Sequence, residues 1–391
     1  MPTPGRGKVL AAACTLVFWP GALIFGFTGA TAPYWKNILK VGNAEIGQVM
    51  FLILAAAGAG MFISGRLYEK FSIRSLALTG AFTGGLSLVL AGYAVNINHI
   101  YIWSLLLGIF ASLTYLPAVS LVQAWFGKSR GLASGLVNLA FALSAAVMSP
   151  LFHRLLQGLG YRNMCILLAI ACTGLCLVAL PWLKPAPQSS PQSPTAGQGP
   201  GSITPAQAFR KKSFWALWSS WVLAGAGGVA MVTLGIQFGL FKGLSMGQAV
   251  LILTVFNLAN GLSRPISGYI SDRISRRLTL GVSFAAAGIA YLLLNQVTGT
   301  FFWAFFAGII GLSFGTLFAV SAPLAVECFG IRHFSSIFGL IFTGYGFGAA
   351  ALGPGLAGYL LDLCKNDFDL VFGYLGLCSL MAAVLVNWVR R

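Results

Sequence analysis

Gly65-Arg66-Leu67-Tyr68-Glu69-Lys70-Phe71-Ser72-Ile73-Arg74 and Gly268-Tyr269-Ile270-Ser271-Asp272-Arg273-Ile274-Ser275-Arg276-Arg277 are two copies of one polar loop, 203 residues apart. At that offset Gly65 falls on Gly268, Glu69 on Asp272, Arg74 on Arg277, and Phe126-Gly127 on Phe329-Gly330. Repeated matches at one offset identify an internal repeat. In each loop the glycine lets two helices approach closely. The acid and the bases are expected to pair across neighbouring helix ends, so that Glu69, Arg74, Asp272, Arg273 and Arg277 form contacts that open and close as two halves of the molecule move. A basic loop with an incidental acid is the plainer alternative, and the recurrence of the spacing speaks against it.

Outward from these loops the chain is apolar. Of its 391 residues 58% are hydrophobic and 8% charged, with a net charge of +17. Typical soluble domains carry about 25% charged residues, so this composition excludes an ordinary soluble enzyme. It also excludes a disordered chain, which needs low hydrophobicity. A spanning helix takes roughly 20 mostly apolar residues, and twelve such segments are present: 9–34, 45–65, 76–96, 99–125, 132–152, 163–183, 214–240, 247–270, 279–297, 300–326, 335–360 and 370–389. Stretches such as 301–326 have neither the polar face of a surface helix nor the alternation of a barrel strand. The basic start, Met1 to Lys8, could open a signal peptide. The following apolar run is too long for one and Pro33-Tyr34-Trp35 is a poor cleavage site, so it is read as a retained first span.

The basic residues divide by loop. Arg6, Lys8, Arg66, Lys70, Arg74, Lys128, Arg130, Lys184, Arg210, Lys211, Lys212, Arg273, Arg276, Arg277, Arg332, Arg390 and Arg391 fall on one side of the expected topology. Lys36, Lys40, Arg154, Arg162, Lys242 and Lys365 fall on the other. The positive-inside rule then puts both termini in the cytoplasm of a multi-pass plasma (inner) membrane protein. The positive charge is thereby a topology signal, and no nucleic acid partner is implied. Residues 184–213 hold Pro185, Pro187, Pro191, Pro194, Pro200 and Pro205 among Gln, Ser and Gly, which reads as a flexible linker. The expected organisation is an all-α membrane protein of twelve transmembrane helices in two pseudo-symmetric six-helix bundles, 1–183 and 214–391, joined by 184–213.

The Gly-x-x-x-(Asp/Glu)-(Arg/Lys)-x-x-x-Arg loops, in two copies among twelve spans, resemble those of the major facilitator superfamily across the whole chain. Trp125-Phe126-Gly127-Lys128-Ser129-Arg130-Gly131-Leu132-Ala133-Ser134-Gly135 is similar to the loop between spans 4 and 5 of monocarboxylate porters and oxalate/formate antiporters, and so is Asn260 to Asp272 with its Arg264-Pro265. The resemblance implies a transporter rather than an enzyme, and two bundles that rock around a central site.

One cation is left inside a span. Arg264 lies eight residues before Asp272, which places it roughly 12 Å from the helix end in a hydrocarbon core about 30 Å thick. Placing it there costs at least about 2.5–3.5 kcal/mol. Snorkelling would demand a long reach, and no span carries an acid near its centre. A fixed cation with a planar fork suits a carboxylate. Asn257 and Asn260 share its helix face, and Pro265 is expected to bend or loosen the helix beside it. Tyr115 and Tyr345 reach similar depth, and either hydroxyl could donate to a carboxylate or serve packing. Asn138 and Phe318, the repeat mate of Tyr115, are further lining candidates; Ile24 and Phe27 suit packing. Trp215, Trp218 and Trp221 are expected to anchor span 7 at the interface.

The chain departs from the families it resembles. Monocarboxylate porters typically carry Asp four residues before the span 8 arginine, a candidate proton carrier, where this chain has Asn260. They carry a Lys in span 1, where Pro33 stands with Lys36 a turn later. Oxalate-type antiporters carry a second cation in span 11, at the place of Tyr345. One cation matches one carboxylate, so the expected cargo is a small monocarboxylate anion such as lactate or pyruvate. The resemblance implies co-transport with a proton, and leaves exchange of two carboxylates as the alternative. A non-transporting receptor or scaffold would call for a large soluble domain. The seven cysteines and scattered His99, His153 and His333 make no metal site, no phosphate loop opens a helix, and no cofactor is expected. The carrier is expected to act in the lipid bilayer as a monomer.

Overall fold

The computed structural model describes residues 5–41, 43–186, 203–364 and 368–390. Most of the expected linker, together with Lys365 and Arg391, lies outside the described residues. Within them the chain is helical without strands. The helices are α1 (Arg6–Leu39), α2 (Asn43–Lys70), α3 (Ile73–Gly92), α4 (Ile97–Trp125), α5 (130–159), α6 (161–182), α7 (Lys212–Phe241), α8 (Met246–Arg273), α9 (Arg276–Leu294), α10 (Thr300–Phe329), α11 (Phe334–Leu361) and α12 (Phe368–Trp388). In hydrocarbon every backbone N–H and C=O must be satisfied internally, and a helix does this within one segment. Large apolar side chains such as Phe82, Ile170, Val282 and Phe301 accordingly stand exposed, as they do where the solvent is lipid.

Helices α5 and α6 form one run, Arg130–Trp182, of 53 residues. At 1.5 Å per residue that is about 80 Å, far more than one hydrocarbon core. The break falls at Gly160, whose φ of 75° is open to glycine and strained for other residues. Polar caps mark the other starts: Ser72 accepts from the Ser75 amide and Asn96 from that of His99, while Ser245 and Gln248 form a capping box. The tail of the expected linker contains a short helix. Thr204 and Gln207 close a capping box on a short helix, Pro205–Phe209, and the Ile203 amide donates to Phe329 O. Pro205 fits because the first helical position needs no N–H.

The chain divides into two compact units. One contains Met1–Gly127, Val137–Ala196 and Phe338–Leu340; the other contains Lys128–Leu136, Gly197–Ile337 and Ile341–Arg391. In the first, α4 is buried nearly all round and takes α1, α2 and α3 against it. In the second, its repeat mate α10 does the same for α7, α8 and α9.

The two central contacts solve one packing problem in opposite ways. A Cβ at Gly60 of α2 would overlap the Ser112 side chain of α4. At the offset of 203 these residues become Ser263 of α8 and Gly315 of α10, and now a Cβ at Gly315 would overlap the Ser263 hydroxyl and the Asn260 carbonyl. Each unit keeps one small and one larger residue at this crossing, with the sides exchanged. Gly108 and Gly311, also repeat mates, keep the same role in both.

Gly315→Ala is therefore expected to cost about 1–3 kcal/mol by overpacking, since backbone stands in the way. Thermal unfolding of the detergent-purified protein checks it, with Gly358→Ala, where an added methyl meets open space, as the control. Equal melting temperatures for the two variants would refute the tight α8–α10 crossing.

Candidate functional site

Arg264 of α8 is 3% exposed. Its Nε and Nη2 both donate to Asn260 Oδ1, at 3.3 and 3.1 Å, because i and i+4 side chains share one face. The amide oxygen thus takes the fork edge that a carboxylate would take, without carrying charge. The guanidinium lies over the Phe318 ring of α10, its Cζ 4.8 Å from the centroid, a favourable cation–π position. Helix α8 continues through Pro265, which stands inside Met246–Arg273. Gly135, at the start of α5 and in the same unit, sits so close to Arg264 O and Pro265 that a Cβ would overlap them. Asn257 is exposed and does not join Asn260.

Phe318 is one wall of an aromatic cluster. Between ring centroids, Trp221 of α7 is 4.9 Å from it and Tyr345 of α11 is 5.3 Å, with Trp221 and Tyr345 5.7 Å apart. Phe342 closes on Trp221 at 5.0 Å. The second unit therefore brings together Arg264, Asn260, Phe318 and Tyr345. Tyr345 lies in a π-helical turn, Gly344–Ala349, where the wider backbone is eased by Gly344, Gly346 and Gly348. Trp221 corrects the expectation of an interfacial anchor, because it is fully buried in the cluster. Trp218 instead donates to Thr343 Oγ1, and only the exposed Trp215, bonded to Phe209 O, suits a boundary. The even three-residue spacing of Trp215, Trp218 and Trp221 carries no sign of this difference, since position along a helix does not reveal which face turns inward.

In the first unit Tyr115 donates to Asn138 Oδ1 at 2.7 Å, both residues being buried. Tyr115 also meets the Phe141 ring at 5.5 Å. Phe27 packs among Trp35, Trp103 and Phe152, as a packing residue should.

The repeated polar loops make different contacts in the two units. In the second unit Asp272 receives Arg276 Nη2 at 3.0 Å, and Arg276 Nη1 bridges to Glu327 at 2.9 Å. Arg273 lies over the Tyr269 ring at 4.5 Å, and Arg277 is exposed with no ion pair among the described residues. Asp272 also accepts from the Gly131 and Leu132 amides, at 3.0 and 3.1 Å, and so caps the start of α5. In the first unit Arg74 donates to Leu183 O and Pro181 O, closing the end of α6 rather than pairing with the exposed Glu69. The reason lies in the register. The repeat mate of Arg276 is Ile73 and that of Glu327 is Ala124, so the bridge has no counterpart there. Arg276 and Glu327 were the site residues missed by the motif, although the absence of an acid at position 124 was visible.

The Major Facilitator Superfamily model matches residues 14–250 and 234–391. Human monocarboxylate transporter 2 is 23% identical over 367 residues, covering 87% of this chain and 77% of its own. The oxalate:formate antiporter of Oxalobacter formigenes is 24% identical over 318 residues, covering 79% and 74%. The solved structure of the Escherichia coli fucose:proton symporter FucP superimposes with a TM-score of 0.73 at 14% identity, over 98% of both chains, a likeness of fold.

Arg276→Leu would leave Asp272 and Glu327 without their shared cation. With these groups partly exposed, the expected loss is about 1–3 kcal/mol. Melting in chloride buffer should show it, while Arg277→Leu should melt close to the parent; equal losses would mean the bridge carries no weight.

Proposed function

The chain belongs to the Major Facilitator Superfamily and is a membrane transporter; we propose that its cargo is a small monocarboxylate of the lactate or pyruvate kind, moved by alternating access together with a proton. The observation that carries this reading is Arg264, a permanent cation whose fork is held by a neutral amide and backed by aromatic rings. A carboxylate can replace Asn260 Oδ1 on the guanidinium with two parallel hydrogen bonds. Tyr345 and Phe318 then offer an apolar side to the rest of a small substrate. These rings and the Asn260 amide bring no second positive charge, so a dianion would leave one carboxylate uncompensated against them, at a cost of several kcal/mol.

The monocarboxylate transporters among its relatives support the cargo class. Tyr115 and Asn138 are candidate substrate contacts of their own unit. We assign gating to Asp272 with Arg276 and Glu327, and to the Glu69–Arg74 loop. The charge asymmetry of the loops supports a plasma (inner) membrane with both termini cytoplasmic.

Exchange of two carboxylates is the second reading. It is favoured by Asn260, because the side chain on the Arg264 fork cannot carry a proton. Proteoliposomes separate the two. A pH gradient alone drives uptake in a symporter, whereas an exchanger needs substrate inside.

Arg264→Ala is expected to abolish saturable uptake, and Arg264→Lys to lose most of it, because a point charge lacks the fork. Retained saturable lactate uptake in Arg264→Ala would sink the anion site. Tyr345→Lys should weaken lactate and improve oxalate relative to it, read by competition against labelled substrate at fixed pH. An unmoved oxalate-to-lactate preference would show that Tyr345 does not contact the cargo.

A further inference from the structure

A cavity of about 760 Å³ opens in the second unit where α8 meets α9, lined by Ser275, Arg276, Arg277, Glu327 and Arg390 among others. It lies apart from Arg264, at the C-terminal end of α8. Three guanidinium groups border it against two carboxylates, those of Asp272 and Glu327. Both carboxylates are already committed to Arg276, and Asp272 further to two backbone amides of α5. The Nε of Arg276 is buried there without a hydrogen-bond partner among the described residues. Arg277 is exposed and without an ion pair among them, and Arg390 is held in place through its backbone, which exchanges hydrogen bonds with Ser213 Oγ at 3.0 and 2.7 Å.

The placement of the surplus charge is unfavourable as it stands. Ser275 caps α9, so Arg276 and Arg277 occupy its first turn, where no acid is present. The amino end of a helix carries partial positive charge, and cations there are repelled. An anion in the cavity would relieve that repulsion and meet the exposed Arg277 and Arg390 guanidiniums.

We propose that this cavity binds a phosphate group, with Arg277 and Arg390 as its guanidinium partners and the start of α9 behind it. A monocarboxylate presents one bidentate edge and satisfies one fork. A tetrahedral phosphate presents several acceptor oxygens and up to two negative charges, and so engages two arginines at once. The group belongs either to a soluble phosphate or to the headgroup of an anionic phospholipid. This inference is independent of the cargo assigned above.

The test is thermal unfolding of the purified full chain in sodium phosphate against sodium chloride at equal ionic strength. Phosphate is expected to raise the melting temperature of the parent, because a ligand that binds only the folded state stabilises it. Arg277→Gln with Arg390→Gln should lose that shift, and Arg264→Ala should keep it. Should the double variant fail to fold, Arg277→Lys gives the same reading through a reduced shift, since it keeps the charge and loses the fork. A second arm compares nanodiscs of phosphatidylglycerol with nanodiscs of phosphatidylcholine. A phosphate response that survives in phosphatidylglycerol indicates a soluble ligand. A response abolished there, with higher melting in phosphatidylglycerol that depends on Arg277 and Arg390, indicates a lipid headgroup. Identical melting of the parent in phosphate and chloride and in both lipids overturns the proposal. So does a shift that persists undiminished in the arginine variants or disappears in Arg264→Ala.

Discussion

A guanidinium cannot give up its proton, so the burial of Arg264 imposes a demand that the second unit has to meet. At its depth insertion costs at least about 2.5–3.5 kcal/mol. The surroundings answer with neutral groups: the Asn260 oxygen takes two N–H donors and the Phe318 face receives the charge. Neither neutralises the cation. An anion held by that fork is the substrate contact proposed above. The whole arrangement depends on how closely α8 and α10 approach. Gly311 and Gly315 let the α10 backbone lie against Phe256 and Asn260, and from there the Phe318 ring reaches Arg264. A thicker residue at either glycine would move the ring off the cation.

The internal repeat preserves packing and lets chemistry diverge. Gly108 and Gly311 hold the same close approach in both units, and the glycine–hydroxyl crossing is kept with its sides exchanged. Yet the repeat mate of Arg264 is Met61, and that of Asn260 is Ala57. Tyr115 corresponds to Phe318, and the first bonds Asn138 through its hydroxyl while the second offers a ring face. Steric constraints at a helix crossing apply equally to both units. Placing a second charge at the repeat position would double the insertion cost.

The polar loops show the same division. Arg74 and Arg277 are equivalent by position, but Arg74 closes a helix end through carbonyl groups and Arg277 stands exposed beside a cavity. The ion-pair bridge passes instead through Arg276, which sits one turn after Asp272 on the path to Glu327. A carboxylate at the start of α5 also compensates the positive end of that helix.

Composition and apolar run length were enough to establish a helical membrane protein, because hydrocarbon admits only helices and closed barrels and the runs lack a barrel's alternation. The repeat and the buried arginine were likewise legible, the first from spacing and the second from a charge count that left one cation inside a span. Tertiary structure decided which neighbours those residues have. Trp221 looked like Trp215 and Trp218 along the chain, but only the packing of α7 against α10 and α11 turns its ring into the cluster around Phe318. Arg276 looked like one basic loop residue among several, and only the approach of α10 gives it Glu327. Burial along a helix is written in one dimension, whereas the partner of a side chain is fixed by which helix crosses at that height and at what angle.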